Sequence, residues 1–164
     1  MTDSRWISAE GNCVVNFSPR VLEQMIALAD AVHPLENGAS LFGQYANGGV
    51  CAVVEGITVV PRDSQRGRFH FHRGIDGLAP FFRRLFNRTR GKQFYVGEFH
   101  SHPGGAPQPS SDDDATQFAI AADGNYQCSA AILVIIGGEP GRRDVGVYVY
   151  TRARERLVLR AIST

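Results

Sequence analysis

The run Ala130-Ala131-Ile132-Leu133-Val134-Ile135-Ile136 carries no polar side chain. Successive residues of a strand point to opposite faces, so a strand of this composition has to be covered on both. A chain organised around it needs packing above and below one sheet, and helices on a sheet are the usual way to supply that.

The segments on either side contain both the helices and the further strands. The stretch RWISAEGNCVVNF reads as one or two short strands, and Ser18-Pro19 as an N-cap with proline at the first helical position. Val21, Met25, Leu28 and Ala31 recur at helical spacing, which predicts a helix to about His33, stopped by Pro34. Two apolar runs flank Asn47-Gly48-Gly49, residues that accept the positive φ of a tight hairpin. Pro61 to Gly67 is polar and predicts a loop, Arg68 to His72 a strand, and Leu78 to Asn87 a helix. Gln93 to His102 predicts a strand, Ser110 to Ala122 a capped helix, and Val145–Tyr150 with Arg156–Ile162 a closing hairpin. The expected fold is an α/β or α+β sandwich around one sheet, in a single domain spanning residues 1–164.

Charge narrows the function classes. Seventeen basic against sixteen acidic residues leave a net charge of +1, so no electrostatic footprint for nucleic acid exists. Arg83, Arg84, Arg88 and Arg90 read as the wet face of a helix. No apolar run approaches the ~20 residues that span a bilayer, and MTDSRWISAEG lacks the basic start and apolar core of a signal peptide. Cys13, Cys51 and Cys128 are far apart and odd in number, and read as small core residues in a reducing compartment. The expected location is the cytoplasm.

The chemistry concentrates in VGEFHSHPGGAPQPSSDDD. His100 and His102, two apart on a strand, present imidazoles side by side. Pro103 ends the strand, and Ser110 and Asp113 return at the mouth of the next helix. Two histidines and a carboxylate leave a fourth tetrahedral position for water, the arrangement of a catalytic zinc. Each half has a plainer reading. His-x-His alone is the pattern of two surface histidines, and Ser110 with Asp113 makes a capping box, for which Ser111 with Asp114 would serve as well. His70-x-His72 with Asp76 repeats the first half without a supporting phrase, and is not expected to bind metal.

His100-Ser101-His102-Pro103, followed by Ser110 and Asp113, resembles the JAMM (MPN-plus, JAB-domain) metalloprotease motif. Glu36-Asn37-Gly38-Ala39-Ser40-Leu41-Phe42-Gly43 resembles the same family's upstream Glu-x-x-Gly-x-Leu-x-Gly phrase, with alanine replacing its first glycine. The likeness spans about Val21 to Ile136. It implies a three-layer, cytidine-deaminase-like sandwich with a central mixed sheet, and one Zn2+ held by His100, His102 and Asp113. It also implies Glu36 as the general base that later protonates the leaving amine, and Ser110 as the donor to the oxyanion. Glu98 shares the strand face of the two histidines, at a position commonly aromatic in the family. Three readings stay open for it: orienting an imidazole, pairing with an arginine, or rivalling Glu36 as base.

The phrase Gly97-Glu98-Phe99-His100-Ser101-His102-Pro103 resembles bacterial stand-alone members encoded beside ubiquitin-like conjugation machinery, including antiphage defence systems. The expected activity is cleavage of a ubiquitin-like modifier from its target, or trimming of a modifier precursor. The expected partners are the modifier, its conjugate, and the pathway's activating and conjugating enzymes, with neither nucleic acid nor membrane. The alternatives are a peptidase acting on a sulfur-carrier protein or small peptide conjugate, and a non-catalytic MPN scaffold.

Overall fold

In the computed structural model, which describes residues 4–49 and 51–162, the apolar run becomes a strand covered on both sides. The elements in chain order are β1 (Ser4–Ser8), β2 (Val14–Phe17), α1 (Val21–Ala31), β3 (Gly38–Ala46), β4 (Cys51–Ile57), β5 (Gln65–Arg66) and β6 (Phe71–His72). There follow α2 (Leu78–Arg88), β7 (Phe94–Pro103), α3 (Ser111–Ala122), β8 (Ala130–Glu139), β9 (Arg142–Thr151) and β10 (Arg156–Ile162). On one face of β8, Ile132, Val134 and Ile136 join Val21, Met25 and Ala29 of α1. On the other, Ala131, Leu133 and Ile135 join Ile120 and Ala121 of α3. The period-2 alternation of one strand therefore feeds two hydrophobic clusters, each closed by a helix.

The strands run in the order β1-β10-β9-β8-β7-β3-β4-β2, and β2 pairs with β1 to close the circuit. β7–β8 and β2–β4 are parallel and the other pairs antiparallel, so the sheet is mixed, as expected. Helices cover both faces of the central strands, but the sheet closes into a barrel instead of staying open between two helical layers. The cause is β1, which pairs antiparallel with both β2 and β10 and leaves no free edge there.

Three local expectations change. Ser18 is not the cap of α1: its N–H donates to Val54 O at 2.9 Å, continuing the β2–β4 pairing, and the helix starts after Arg20 in a left-handed conformation (φ 70°). The strand expected at Arg68–His72 shrinks to Phe71–His72, which pairs with Gln65–Arg66 inside the expected loop to make a small separate hairpin. Of the cysteines only Cys128 is buried; Cys13 and Cys51 are half-buried. The hairpin signal holds, with Asn47 and Gly48 at φ 51° and 69° between β3 and β4. Arg83, Arg84, Arg88 and Arg90 are exposed on and just beyond α2. Among the described residues no helix is long and apolar enough to cross a membrane.

One irregularity in β7 matters for the site. Leu41 pairs with Gly97 but Phe42 with Tyr95, so Val96 is an extra residue in the ladder. Across this bulge Tyr95 and Glu98 fall on the α3 side while Val96 and Phe99 face α1. Gly97 sits at φ 155°, against the backbone of β8, where a Cβ would collide with Ile132 O.

Candidate metal centre and active-site cleft

Beyond the bulge, His100 and His102 project beside each other, their Nε2 atoms 3.1 Å apart. The chain then turns at Gly104 (φ 71°) and returns to Ser110. There the capping box forms: Ser110 Oγ accepts from Asp113 N at 3.1 Å, and Ser110 N donates to Asp113 Oδ2 at 2.7 Å. This local motif also aims the carboxylate. Asp113 Oδ1 lies 3.2 Å from His100 Nε2, and Oδ2 3.5 Å from His102 Nε2. The three side chains expected as ligands are thus brought together, and they form the one His/Cys/Asp/Glu group suited to a metal ion among the described residues.

The spacing can be tested against zinc. Zn–N and Zn–O bonds of about 2.0–2.1 Å in a tetrahedron put neighbouring ligand atoms about 3.3–3.4 Å apart. The 3.1 Å between the two imidazole nitrogens and the 3.2 Å from Asp113 Oδ1 to His100 lie close to that edge, while the 3.5 Å contact to His102 is made by the other carboxylate oxygen, Oδ2. His102 Nδ1 faces Ala106 O at 3.3 Å, so a hydrogen on Nδ1 is accepted there; the neutral ring then turns its Nε2 lone pair to the site, and the protonated ring donates from Nε2 to Asp113. Burial pushes the Asp113 carboxyl up, but hydrogen bonds from His100 and His102 outweigh it and hold it far below the usual carboxylate range. Burial pulls His102 down, while Asp113 beside it brings its net shift upward. A carboxylate held ionised next to two imidazoles is a seat for a cation, and the donor set fits zinc.

Glu36 enters from a different element. Asn37 N donates to Ser101 Oγ at 2.9 Å, Ser101 N donates to Asn37 O at 2.8 Å, and Gly38 pairs with His100. Asn37 Nδ2 also donates to Leu28 O, and Glu36 N to Gly67 O. These bonds seat Glu36 next to the ligand strand, 8% exposed, in a cleft of about 520 Å³ that it shares with His100, His102, Ser110 and Asp113. Burial pushes its carboxyl up, against the pull of His100 and His102. Ser110 Oγ accepts from a backbone N–H, so its own hydrogen remains free to donate into the cleft.

A second compartment of about 480 Å³ continues on the other side of His100 and Asp113, between α3 and β6. Phe71 and His72 wall both compartments. His70 also lines the first, yet neither it nor His72 joins the metal-suited group. Glu98 is buried beneath the second. It pairs with Arg73 Nε at 2.9 Å and accepts from Tyr95 OH at 2.8 Å and Ser40 Oγ at 3.4 Å, with no bond to either imidazole. Of its three readings the arginine pair is the one formed. The Asn37–Ser101 staple, the Arg73 partner and the role of the hairpin as a cleft wall were not read from the sequence, because each depends on contacts between distant segments.

Residues 18–151 match the family described as prokaryotic homologs of the JAB domain. The chain is 36% identical over 157 residues to a protein of Enterobacter hormaechei subsp. hoffmannii (strain UCI 50) named CD-NTase/cGAS isopeptidase, covering 94% of this chain and 86% of that one. The solution structure of a protein from Desulfitobacterium hafniense aligns with a TM-score of 0.60 over 91% of this chain and 90% of that one. Its identity is 21%, so that likeness is one of fold.

Proposed function

This chain belongs to the family of prokaryotic homologs of the JAB domain, and from that premise we propose that it is a zinc-dependent isopeptidase. On this reading it releases a ubiquitin-like modifier from the lysine of a target, or trims a modifier precursor, in a bacterial conjugation pathway in the cytoplasm. The observation that carries it is the convergence of His100, His102 and Asp113 at zinc-like spacing in a cleft that also holds Glu36 and Ser110. The isopeptidase name of the Enterobacter relative supports the same reaction. On this reading the conjugated protein is of the CD-NTase/cGAS kind in that relative's name, and the setting is antiphage defence, as the sequence resemblance implies. The helices on both faces of β7 and β8 are taken as the cytidine-deaminase-like frame of a single catalytic domain.

A zinc ion held by His100, His102 and Asp113 would supply Lewis acidity and would make water acidic enough to ionise near pH 7. The remaining work falls to the chain. Glu36, its carboxyl raised by burial, takes a proton from the attacking water. The Ser110 hydroxyl, fixed by the capping box before substrate arrives, donates to the carbonyl oxygen as it becomes an oxyanion. When the C–N bond breaks, Glu36 returns its proton to the departing amine, leaving a free carboxylate and a free lysine.

The test is single-turnover cleavage of an isopeptide-linked modifier conjugate by zinc-loaded enzyme. Lysine release that a chelator abolishes and zinc restores is the expected result. Cleavage indifferent to chelation, or no cleavage of isopeptide and linear fusions alike, would refute the reading.

A further inference from the structure

The segment that carries Ser110 and Asp113 is held from behind by residues outside any motif. Leaving β7, the chain crosses β8 and β9 before entering α3. It lies so close to them that a Cβ at Gly137 would fall 2.7 Å from Gly105 O, and one at Gly146 would collide with Pro107 O. Two tyrosines of β9 then fasten it. Tyr148 OH donates to Pro107 O at 2.7 Å, and Tyr150 OH donates to Asp114 Oδ1 at 2.6 Å. From β10, Arg156 Nη1 donates to both Asp114 oxygens at 2.9 and 2.8 Å. Tyr150 is 0% and Tyr148 6% exposed, so these hydroxyls have little water to turn to instead.

Asp114 follows Asp113 in the first turn of α3, about 100° further round the helix. The one carboxylate is therefore aimed at β9 and β10 while the other is aimed at the imidazoles. Whatever fixes Asp114 fixes the rotation and advance of the turn that presents Asp113. We infer that Tyr148, Tyr150, Asp114 and Arg156 are positioning residues of the metal centre. They set where Asp113 stands relative to His100 and His102, and so set metal affinity without touching the metal. This rests on the metal-centre reading given under the proposed function.

The experiment measures zinc Kd by competition with a chromophoric chelator, alongside the thermal midpoint of each zinc-free protein. Tyr150→Phe removes one oxygen atom and should weaken zinc roughly 10-fold, the lower end of what outer partners of metal ligands are worth. Asp114→Ala should weaken it at least as much, and Asp114→Asn, which still accepts from Tyr150, should recover most of the loss. Tyr150→Phe and Arg156→Gln act through one carboxylate, so their combined loss should fall short of the product of the two. A merely structural role would instead lower the zinc-free midpoint and leave Kd alone. Zinc binding within about twofold of wild type in Tyr150→Phe and Asp114→Ala would overturn the proposal. If Asp114→Ala does not fold, Tyr150→Phe decides. A wild-type protein that binds no zinc would bring down the metal-centre reading and this proposal together, whereas zinc-tight variants would bring down the positioning role alone.

Discussion

Replacing Arg73 with methionine strands Glu98, whose side chain is 9% exposed and whose one ionic partner among the described residues is that guanidinium. Removing one member of a buried pair commonly costs about 3–5 kcal/mol, because the charge left behind has lost its compensation. Here the stranded group can escape by taking up a proton. From the ordinary carboxyl value of 4.5, protonation at pH 7 costs about 3.4 kcal/mol, at 1.36 kcal/mol per pH unit. Burial has already pushed the wild-type carboxyl upward, with Arg73 pulling it back, so the loss should fall under that ceiling, at about 2–3 kcal/mol. For a chain of this length that is roughly 4–12 °C in Tm. The sign with pH follows from the same escape. A carboxyl whose folded pKa is raised binds its proton more readily folded than unfolded, so stability falls as pH rises from about 4.5 towards the raised folded value. The Arg73→Met loss should therefore be large at pH 7 and shrink below about 1 kcal/mol at pH 5. Urea unfolding of zinc-free protein, followed by the fluorescence of the single tryptophan, Trp6, reads both values. Arg73→Met/Glu98→Gln, which keeps an acceptor for Tyr95 and removes the charge, should lose this pH dependence. A loss below about 1 kcal/mol at pH 7, typical of solvent-screened pairs, or one equal at both pH values, would refute the reasoning.

Glu36→Gln should keep its zinc while single-turnover cleavage falls by roughly 10²–10⁴-fold, and near wild-type rates would remove Glu36 from the base position. His70→Gln/His72→Gln should retain the zinc content of wild type by atomic emission, since these rings wall the cleft without joining the ligand group; loss of a metal equivalent would reveal a second site. Gly97→Ala combines a positive φ with a collision at Ile132 O and should cost more than about 4 kcal/mol in urea unfolding or prevent folding, whereas a loss under 1 kcal/mol would mean the β7–β8 spacing can relax.

The parts of this structure governed by neighbours in sequence could be read in advance. Alternation along 130–136 required cover on both faces, and α1 and α3 supply it. Ser110 and Asp113 form the capping box that their spacing suggests. Features set by distant segments could not be read this way. Ring closure depends on Trp6 pairing with Ala161, and nothing in either short strand names the other. Ser18 has the residue type of a helix cap, yet its backbone extends the β2–β4 pairing and α1 begins only after Arg20. The bulge at Val96 placed Tyr95 against Glu98, and Arg73 arrived from the loop after β6 to pair with a carboxylate whose strand position alone allowed three readings. For the candidate site, the side chains that the fold brings together were legible in the sequence while their supports were not. Ser101 holds Asn37 across 64 positions, and Tyr150 holds Asp114 across 36.

The central claim is a single metal site that depends on one particular carboxylate among three consecutive aspartates. Zinc per chain, measured by atomic emission after dialysis against trace metal, tests it on wild type, Asp112→Ala and Asp113→Ala. One zinc in wild type and in Asp112→Ala, and almost none in Asp113→Ala, is the predicted result. Equal zinc in all three proteins, or none in wild type, would contradict it.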